Sequence, residues 1–263
     1  MTSFAIPRRL SPSSLDRYRS CPRRFLWQDI ERRPFEQRAT PESILGTTVH
    51  KALERFFRLD VEKRDLETLH GYLRWAWRKH RGDTFASKDE ERAWGEQALA
   101  LLAQFVERFD TTITPLRVEQ WLEIPLKNGR LLATRVDRID PGRAGDVRLG
   151  DYKTGRLQLD SRDIPRETAP MVHLLAAEKA GKQVERVSLF YLRSGEEVYW
   201  EPEREDLELV AERLNALLRE LAAEREFAPH PGEGCNFCPF VAHCDAGASP
   251  GRPTESWVSA LDR

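Results

Sequence analysis

The stretch from Leu131 to Gly155 constrains this 263-residue chain more than any other, and it reads LLATRVDRIDPGRAGDVRLGDYKTG. Residues in each half alternate between two faces with the period of a β-strand, and Pro141-Gly142 supplies turn chemistry between the halves. In the second half, the face that begins with apolar side chains ends with Asp151 and Lys153. The pattern predicts a β-hairpin that carries a carboxylate and an ammonium group side by side.

Two aspartates of the predicted hairpin lie close to each other across the strands. Because the intervening loop is centred near residue 143, Asp137 lies opposite Asp151 or one diagonal from it. Such carboxylates repel each other unless a cation lies between them, and Mg²⁺ or Mn²⁺ prefers oxygen ligands such as these and the backbone carbonyl of Tyr152. Lys153 on the same face can hold an attacking water or stabilise charge on a phosphate. The sequence thus predicts a metal-dependent phosphodiester-cleaving site, while a surface hairpin with an ordinary Asp–Lys ion pair stays open as the alternative.

Hydrophobic periodicity indicates helices on both sides of the hairpin and further strands beside it. The predicted helices run from Pro41 to about Leu59, Leu66 to His80, Asp89 to Phe109, around Met171 to Ala180 and Glu203 to Phe227, after two short helices that Cys21-Pro22 separates. The other predicted strands are Leu116 to Leu126, followed by a turn at Lys127-Asn128-Gly129, and Val184 to Leu192. This order predicts an α/β fold in a single domain of residues 1–263. Its parts are a helical region (1–88), a sheet core (89–200) and a C-terminal helix with an irregular tail (201–263).

A histidine on the helix that begins at Pro41 is a further candidate metal ligand. His50 lies beside the apolar stripe of that helix, and its side chain leans over Gly46, which leaves space around the imidazole. A buried histidine with a structural role is the ordinary interpretation, but the glycine favours a ligand. Glu119, near the start of the first predicted strand, is a weaker candidate for the same site.

The charge of the chain is nearly balanced but unevenly distributed. A net charge of −1 argues against a protein that binds nucleic acid through its overall charge. Eight arginines lie in the first 33 residues, however, with aromatic residues among them, as in channels that bind single-stranded nucleic acid. A solvated basic helix face explains the same arginines equally well. The residues that we expect to contact DNA are Tyr18, Arg23, Arg24 and Arg138.

The composition is typical of a globular protein in water, with 32% charged and 40% hydrophobic residues. No apolar stretch approaches the length of a membrane span, and the N-terminus lacks the apolar region of a secretory signal. We therefore expect a cytoplasmic protein that does not contact membranes, in a compartment where disulfides are rare.

The four cysteines have the spacing of a metal site. Three of them form a C-x2-C-x5-C motif, namely Cys235, Cys238 and Cys244. This motif lies in a tail rich in glycine and proline, and Cys21 lies more than two hundred residues upstream. Four thiolates can bind an iron–sulfur cluster, or a structural Zn²⁺ for which His243 or His230 could replace one thiolate. Either group would join the tail to the N-terminal helices, and unrelated buried thiols are the remaining interpretation.

These features together resemble the RecB-like branch of the PD-(D/E)XK nucleases, in particular the iron–sulfur subgroup that includes the nuclease domain of AddB and a CRISPR-associated nuclease. The stretches that carry the resemblance follow the family's order: Leu15–Phe25, Gly46–His50, Val136–Asp140, Gly150–Gly155 and the three C-terminal cysteines. The resemblance implies a restriction-endonuclease-like core, which is a central mixed sheet flanked by helices, with an N-terminal helical region. It also implies that the four cysteines join the two chain ends through a [4Fe–4S] cluster, a choice that spacing alone leaves open.

The same resemblance implies a Mg²⁺- or Mn²⁺-dependent deoxyribonuclease. We expect it to act on single-stranded DNA ends in repair or recombination, with a helicase or recombination protein as a partner. His50, Asp137, Asp151 and Tyr152 would bind the metal, and Lys153 would orient the attacking water. The alternatives are a catalytically weak or inactive iron–sulfur protein that binds DNA, and a nuclease that depends on a partner or cleaves RNA.

Two sites depart from the family's pattern. The family has a glycine three residues before its first catalytic aspartate, where this chain has Thr134. It also has a glutamine and, four residues on, a tyrosine in the helix after the lysine strand, where this chain has Met171 and Leu175. In the family those two side chains help to hold the substrate or the active-site network. Because the replacements form no useful hydrogen bonds, we expect a slow nuclease that needs Mn²⁺ or a partner protein for useful rates.

Overall fold

A computed structural model describes residues 5–35, 39–126 and 129–247 of the chain. These residues divide into two compact units. Unit 1 consists of Met1–Gln37, Pro125–Ala133 and Glu212–Arg263, so that it combines both chain ends with a central segment. Unit 2 consists of Arg38–Ile124 and Thr134–Ala211. The predicted turn at Lys127-Asn128-Gly129 has its first two residues outside the described part of the chain.

The helices follow the hydrophobic periodicity of the sequence. They are α1 (Pro12–Ser20), α2 (Pro22–Phe25), α3 (Pro41–Phe56), α4 (Leu66–His80), α5 (Lys88–Arg108), α6 (Thr168–Lys179) and α7 (Arg204–Ala223). Ser11 and Thr40 cap α1 and α3 with side-chain oxygens that accept backbone N–H bonds, and a proline follows each cap. The last helix ends earlier than predicted, because Glu224 Oε1 accepts three successive backbone N–H bonds, up to that of Phe227, which has a left-handed φ of 47°.

Six strands form a mixed sheet, as the sequence predicts for the fold. The strands are β1 (Arg9–Leu10), β2 (Arg117–Pro125), β3 (Leu131–Pro141), β4 (Val147–Lys153), β5 (Val184–Tyr191) and β6 (Glu196–Trp200). Their order is β1-β3-β4-β5-β6, with β2 paired to β3 beside this path. The β3–β4 and β5–β6 pairs are antiparallel, and β4 runs parallel to β5, which places α6 in the crossover between them. The short strand β1 and the edge strand β6 have no counterpart in the sequence prediction.

The core of unit 2 has apolar side chains on both sides of its strands. On one side, α3, α4 and α5 pack with Tyr152 and Phe190. On the other, α6 contributes Leu174 and Ala177 to a cluster with residues of β3, β4 and β5. Burial on both faces explains why residues 187–191 of β5 are all buried, instead of every second residue.

Arg138 lies inside the first of these cores, so the prediction that it contacts DNA is wrong. Its side chain is 2% exposed, and its Nε donates a hydrogen bond to Asp140 Oδ2 at 2.9 Å. The guanidinium lies 4.4 Å from the ring centre of Phe57 and 4.9 Å from that of Phe190. The arginine therefore neutralises a buried carboxylate and packs between aromatic rings, where no phosphate can reach it.

Replacing Arg138 by alanine should lower the free energy of unfolding by about 3–5 kcal/mol, because Asp140 would be left as an uncompensated buried charge. Urea denaturation followed by circular dichroism measures the change. Arg162→Ala is the matched control, since Arg162 is 85% exposed and pairs with Asp160 on the surface. Equal stabilities of the Arg138→Ala variant and the parent protein would contradict this account.

Unit 1 buries a second aromatic cluster. Tyr18 and Phe25 contact each other edge to face with ring centres 5.7 Å apart, and Phe25 stacks on Phe227. Tyr18 is 2% exposed, and its hydroxyl donates to Glu220 and Glu224 at 3.3 and 3.4 Å. The predicted DNA contact of Tyr18 is therefore also wrong, because its ring and its hydroxyl are both used inside the unit.

Within the described part of the chain, none of the helices has both the length and the apolar character needed to cross a membrane.

Candidate metal and nuclease site

The hairpin of β3 and β4 brings the two predicted aspartates together. Arg138 pairs with Gly150 and Ile139 with Leu149, so one further step in this register places Asp137 directly beside Asp151. The backbone N–H of Tyr152 donates to Asp137 Oδ2 at 2.9 Å, which fixes the carboxylate against the neighbouring strand. The pairing predicted from the sequence is therefore confirmed in its register. The turn is centred one residue later than predicted, where Ala144 and Gly145 both have left-handed φ angles.

Helix α3 adds His50 to this pair. Its Nδ1 lies 3.2 Å from Asp137 Oδ2, its ring contacts that of Tyr152 edge to face, and its side chain is 26% exposed. Gly46 contributes in a different way from the one predicted. A Cβ on this glycine would lie 3.3 Å from Thr154 Oγ1, so its absence lets α3 approach the end of β4 instead of leaving space around the imidazole.

Glu119 of β2 completes a group of three potential metal ligands. Ligand atoms of His50, Glu119 and Asp137 all lie within 4.8 Å of one another. Glu119 has a left-handed φ of 55°, which is uncommon for a residue with a side chain and is typical of functional sites. Its Oε2 lies 2.8 Å from Arg135 Nε but accepts no hydrogen bond from a described residue, so a buried carboxylate oxygen is left without a directed donor. The group could therefore hold a divalent cation.

Asp151 and Lys153 lie beside this group. The Nζ of Lys153 is 2.6 Å from Asp151 Oδ2, and Asp151 also lies within hydrogen-bonding reach of Asp137. The side chain of Asp151 is 13% exposed and that of Lys153 is 37% exposed. The structure thus brings together all four side chains that the sequence singles out. It differs from the prediction in placing Glu119, rather than Asp151, in the closest set of ligand atoms.

The electrostatics of the site follow from this crowding. Burial by itself would raise the pKa of Asp137, but the hydrogen bond and charge of His50 outweigh it and hold this pKa below its ordinary value. Burial would lower the pKa of His50, but Asp137, Asp151 and Glu119 together raise it. Burial and the charge of Asp137 raise the pKa of Glu119. The carboxylates therefore favour the protonated form of His50, and a metal cation could supply the positive charge in its place.

Lys153 keeps its charge in this environment. Burial lowers the pKa of its ammonium group, but the charge of Asp151 and the hydrogen bond between the two residues outweigh burial and raise the pKa. A cationic group with one face exposed therefore lies next to the carboxylates. Such a group can hold a water molecule or stabilise negative charge on a phosphate.

His173 on α6 is a site residue that the sequence analysis missed. It is 5% exposed, and burial lowers its pKa, although the charges of Asp151 and Asp137 act in the opposite direction. The neutral imidazole lies on the helix that carries Met171 and Leu175. Met171 is 4% exposed and Leu175 is partly buried. No motif identifies His173, since it lies between the two positions at which the family pattern was compared.

Comparison with known proteins agrees with this geometry. The family model described as "PD-(D/E)XK nuclease superfamily" matches residues 9–245. The chain belongs to the PD-(D/E)XK nuclease superfamily. The match includes the β3–β4 hairpin, His50, Glu119 and all four cysteines, so the membership rests on most of the chain. A comparison of the sequence with curated proteins finds no match.

Two solved structures are similar to this chain at low sequence identity. A protein from Eubacterium rectale described as a "Putative exonuclease" is 13% identical, with a TM-score of 0.52 over 96% of this chain and 92% of that one. The protein SSO0001 is 13% identical, with a TM-score of 0.40 over 94% of this chain and 91% of that one. The first of these likenesses concerns the fold alone.

A second candidate site lies in unit 1, where the four cysteines line one cavity. The cavity is also lined by Arg23, Arg24 and His230, whose backbone N–H donates to Cys21 Sγ at 3.5 Å. His243 is exposed and does not line it. Cysteines from the two ends of the chain thus meet at one place, as a shared metal group would require.

The arginines of this cavity have partners in the same unit. Arg23 Nε donates to the backbone oxygen of Phe227 at 2.8 Å, and its guanidinium lies 5.6 Å from the ring centre of Trp27. Arg24 Nε donates to Gln28 Oε1 at 3.4 Å. Both side chains are partly exposed, so their contact with DNA stays a prediction.

Proposed function

We propose that this chain is a divalent-metal-dependent deoxyribonuclease that hydrolyses phosphodiester bonds, acting on single-stranded DNA ends as an exonuclease. The observation that carries the proposal is the grouping of His50, Glu119 and Asp137 beside the Asp151–Lys153 pair. Carboxylates and an imidazole suit a hard or intermediate cation such as Mg²⁺ or Mn²⁺. The superfamily match agrees with this chemistry.

The residues of the site have separate roles in this proposal. Asp137, Asp151, His50 and the backbone carbonyl of Tyr152 would hold the metal, and Glu119, whose Oε2 accepts no directed hydrogen bond from a described residue, joins them. A bound divalent cation supplies Lewis-acid stabilisation of the phosphate and lowers the pKa of a bound water. Lys153 Nζ orients the attacking water and stabilises negative charge that develops on the phosphate oxygens. The hydrogen bond from the Tyr152 backbone keeps Asp137 in place throughout.

Cleavage of end-labelled oligonucleotides tests the proposal. Single-stranded DNA, duplex DNA and RNA of one sequence are incubated with Mg²⁺, with Mn²⁺ or with EDTA, and Asp137→Asn serves as the inactive control. We expect shortening of the single-stranded DNA with Mn²⁺ and Mg²⁺ and none with EDTA. Cleavage that persists in EDTA or in the Asp137→Asn variant would refute a metal-dependent reaction at this site.

The helix α6 favours the alternative of a weak or partner-dependent enzyme. Met171 and Leu175 are apolar residues of α6 at the positions where the resemblance implies an amide and a phenol. A DNA strand held by fewer hydrogen bonds is positioned less well. The loss in binding free energy is about 1–3 kcal/mol where a polar partner is left unpaired. A helicase or recombination protein that presents the DNA would supply this positioning, and a role in repair or recombination in the cytoplasm belongs to the same proposal.

The variant Met171→Gln with Leu175→Tyr should raise the cleavage rate about fivefold or more, because it restores the amide and the phenol that the resemblance implies at these positions. Initial rates under Mn²⁺ with saturating single-stranded DNA measure the effect. Met171→Leu is the matched control, since it keeps the position apolar and should leave the rate unchanged. A well-folded double variant that is no faster than the parent protein would show that other residues, such as His173, position the substrate.

We further propose that the four cysteines bind a [4Fe–4S] cluster. Four thiolates on one tetrahedral Zn²⁺ with Zn–S bonds of about 2.3 Å lie about 3.8 Å apart. Among the residues that the structure describes, no three cysteine sulfurs lie within 4.8 Å of one another, although all four line one cavity. A wider group than a single ion suits this spacing, and the N–H that points at Cys21 Sγ is of the kind that stabilises cluster sulfurs.

A further inference from the structure

Strand β2 presents a tryptophan to solvent next to the metal ligands. Trp121 is 54% exposed, which is unusual for the largest apolar side chain, whereas the next residue, Leu122, packs against the core of unit 2. Trp121 lies two residues after Glu119 on the same strand. An exposed indole thus lies on the strand that also supplies a candidate metal ligand.

Arg135 connects this tryptophan to the metal ligands. Its Nε lies 2.8 Å from Glu119 Oε2, and its guanidinium lies 5.8 Å from the ring centre of Trp121. Arg135 precedes Asp137 by two residues on β3, a separation of about 7 Å along the strand. Its side chain is 44% exposed, so part of the guanidinium is open to a ligand. The indole of Trp121 and the guanidinium of Arg135 therefore belong to residues that lie two positions along the strands from Glu119 and Asp137.

This pair of side chains has the chemistry of a nucleotide-binding surface. Nucleic acid bases stack on exposed aromatic rings without sequence preference, and arginine attracts the phosphate that belongs to the same nucleotide. In a duplex the base faces are stacked on each other and cannot reach a protein ring. A surface that offers an indole therefore favours single strands over duplexes.

We propose that Trp121, supported by Arg135, stacks on a base adjacent to the phosphate held at the metal site and thereby selects single-stranded DNA. This inference rests on the proposed nuclease function, because the site supplies the reason for DNA to bind there. Trp121 and Arg135 act as positioning residues, since they hold a nucleotide beside the one whose phosphate reacts. They also supply contacts that do not depend on Met171 and Leu175.

Binding of fluorescein-labelled oligothymidylate in Ca²⁺ separates this inference from catalysis, because binding is measured by anisotropy without a need for cleavage. Trp121→Ala should weaken binding of the single strand about 5- to 100-fold and leave duplex binding unchanged. Trp121→Tyr should restore most of the affinity, since it returns an aromatic face. Tyr199→Ala is the matched control: Tyr199 is also an exposed aromatic on an edge strand, with Arg186 3.9 Å from its ring centre, and it is not near the ligands in β2 and β3.

A single abasic site moved along the oligonucleotide makes the test specific. In the parent protein, an abasic site at one position of the oligonucleotide should weaken binding. In Trp121→Ala this loss of affinity should disappear, because the indole on which the missing base would stack is also absent. Equal affinities of Trp121→Ala and the parent for single strands, or equal losses for single strands and duplex, would overturn the inference. If DNA is cleaved but the penalty does not depend on Trp121, the nuclease function stands and the inference falls. If the penalty depends on Trp121 but no DNA is cleaved, the inference stands and the nuclease function falls.

Discussion

Replacing Lys153 by methionine is expected to lower the rate of DNA cleavage by about 10²–10³-fold, the usual effect of removing a group that stabilises developing charge. Methionine keeps the length of the aliphatic stem and removes only the ammonium group, which lies 2.6 Å from Asp151 Oδ2. Asp151→Asn should reduce cleavage at least as strongly, because it removes a carboxylate from the metal site. Single-turnover rates with excess protein measure the chemical step without product release.

Neither substitution should unfold the protein. Asp151 pairs with Lys153, whose Nζ lies 2.6 Å from Asp151 Oδ2, and asparagine keeps an oxygen that can accept a hydrogen bond from this ammonium group. The Asp151→Asn variant should therefore stay folded, with a free energy of unfolding within about 1–3 kcal/mol of that of the parent protein. Asp160→Asn provides the control, since it breaks an ion pair with Arg162 on the surface and should cleave at the parent rate. Full activity in both Lys153→Met and Asp151→Asn would remove these residues from the mechanism.

Anaerobically purified protein is expected to be brown and to contain iron, and Cys21→Ser should lose most of both properties. The cavity is lined by Cys21 from one chain end and by Cys235, Cys238 and Cys244 from the other. A cluster bound by these cysteines would therefore stabilise the fold of unit 1. A bound metal group of this kind contributes several kcal/mol to the free energy of unfolding. In a chain of this length, a change of 1 kcal/mol in that free energy shifts the melting temperature by about 2–4 °C. Cys21→Ser should therefore melt roughly 10 °C below the parent.

The histidines near the cysteine motif distinguish the two metal groups. His230→Asn and His243→Asn should both keep the iron, because four thiolates complete the cluster without a histidine. His243 is exposed outside the cavity, which makes its variant the control for nonspecific destabilisation. Stoichiometric zinc with no iron in an anaerobic preparation would contradict the cluster. Iron content and visible absorbance, measured on the same sample, provide the readout.

The part of the site that the sequence predicts well lies in one hairpin. Asp137, Asp151 and Lys153 could be placed because a strand has a fixed period and a short turn fixes the register. The position of Glu119 beside His50 and Asp137 could not be predicted in the same way. Its left-handed backbone interrupts the regular alternation of β2, and a strand period cannot anticipate such a residue.

Buried charges limited the sequence prediction in a different way. The prediction that Arg138 contacts DNA is wrong because this arginine lies in the core with Asp140. The spacing of these two residues contained the signal, because residues i and i+2 of a strand share a face and can neutralise each other. His173 gave no comparable signal, since a single histidine on an apolar helix is compatible with many roles. Tertiary packing alone brings it near Asp137 and Asp151.

Titration of Mn²⁺ followed by electron paramagnetic resonance, with cleavage of single-stranded DNA measured on the same samples, tests most directly whether these carboxylates hold a catalytic metal. We expect the parent protein to bind Mn²⁺ and to cleave with the same dependence on its concentration. Asp137→Asn should lose both properties, and Glu119→Gln should bind Mn²⁺ more weakly, because Glu119 belongs to the closest group of ligand atoms. Unchanged Mn²⁺ binding in Asp137→Asn, or cleavage that does not follow Mn²⁺ occupancy, would contradict the account.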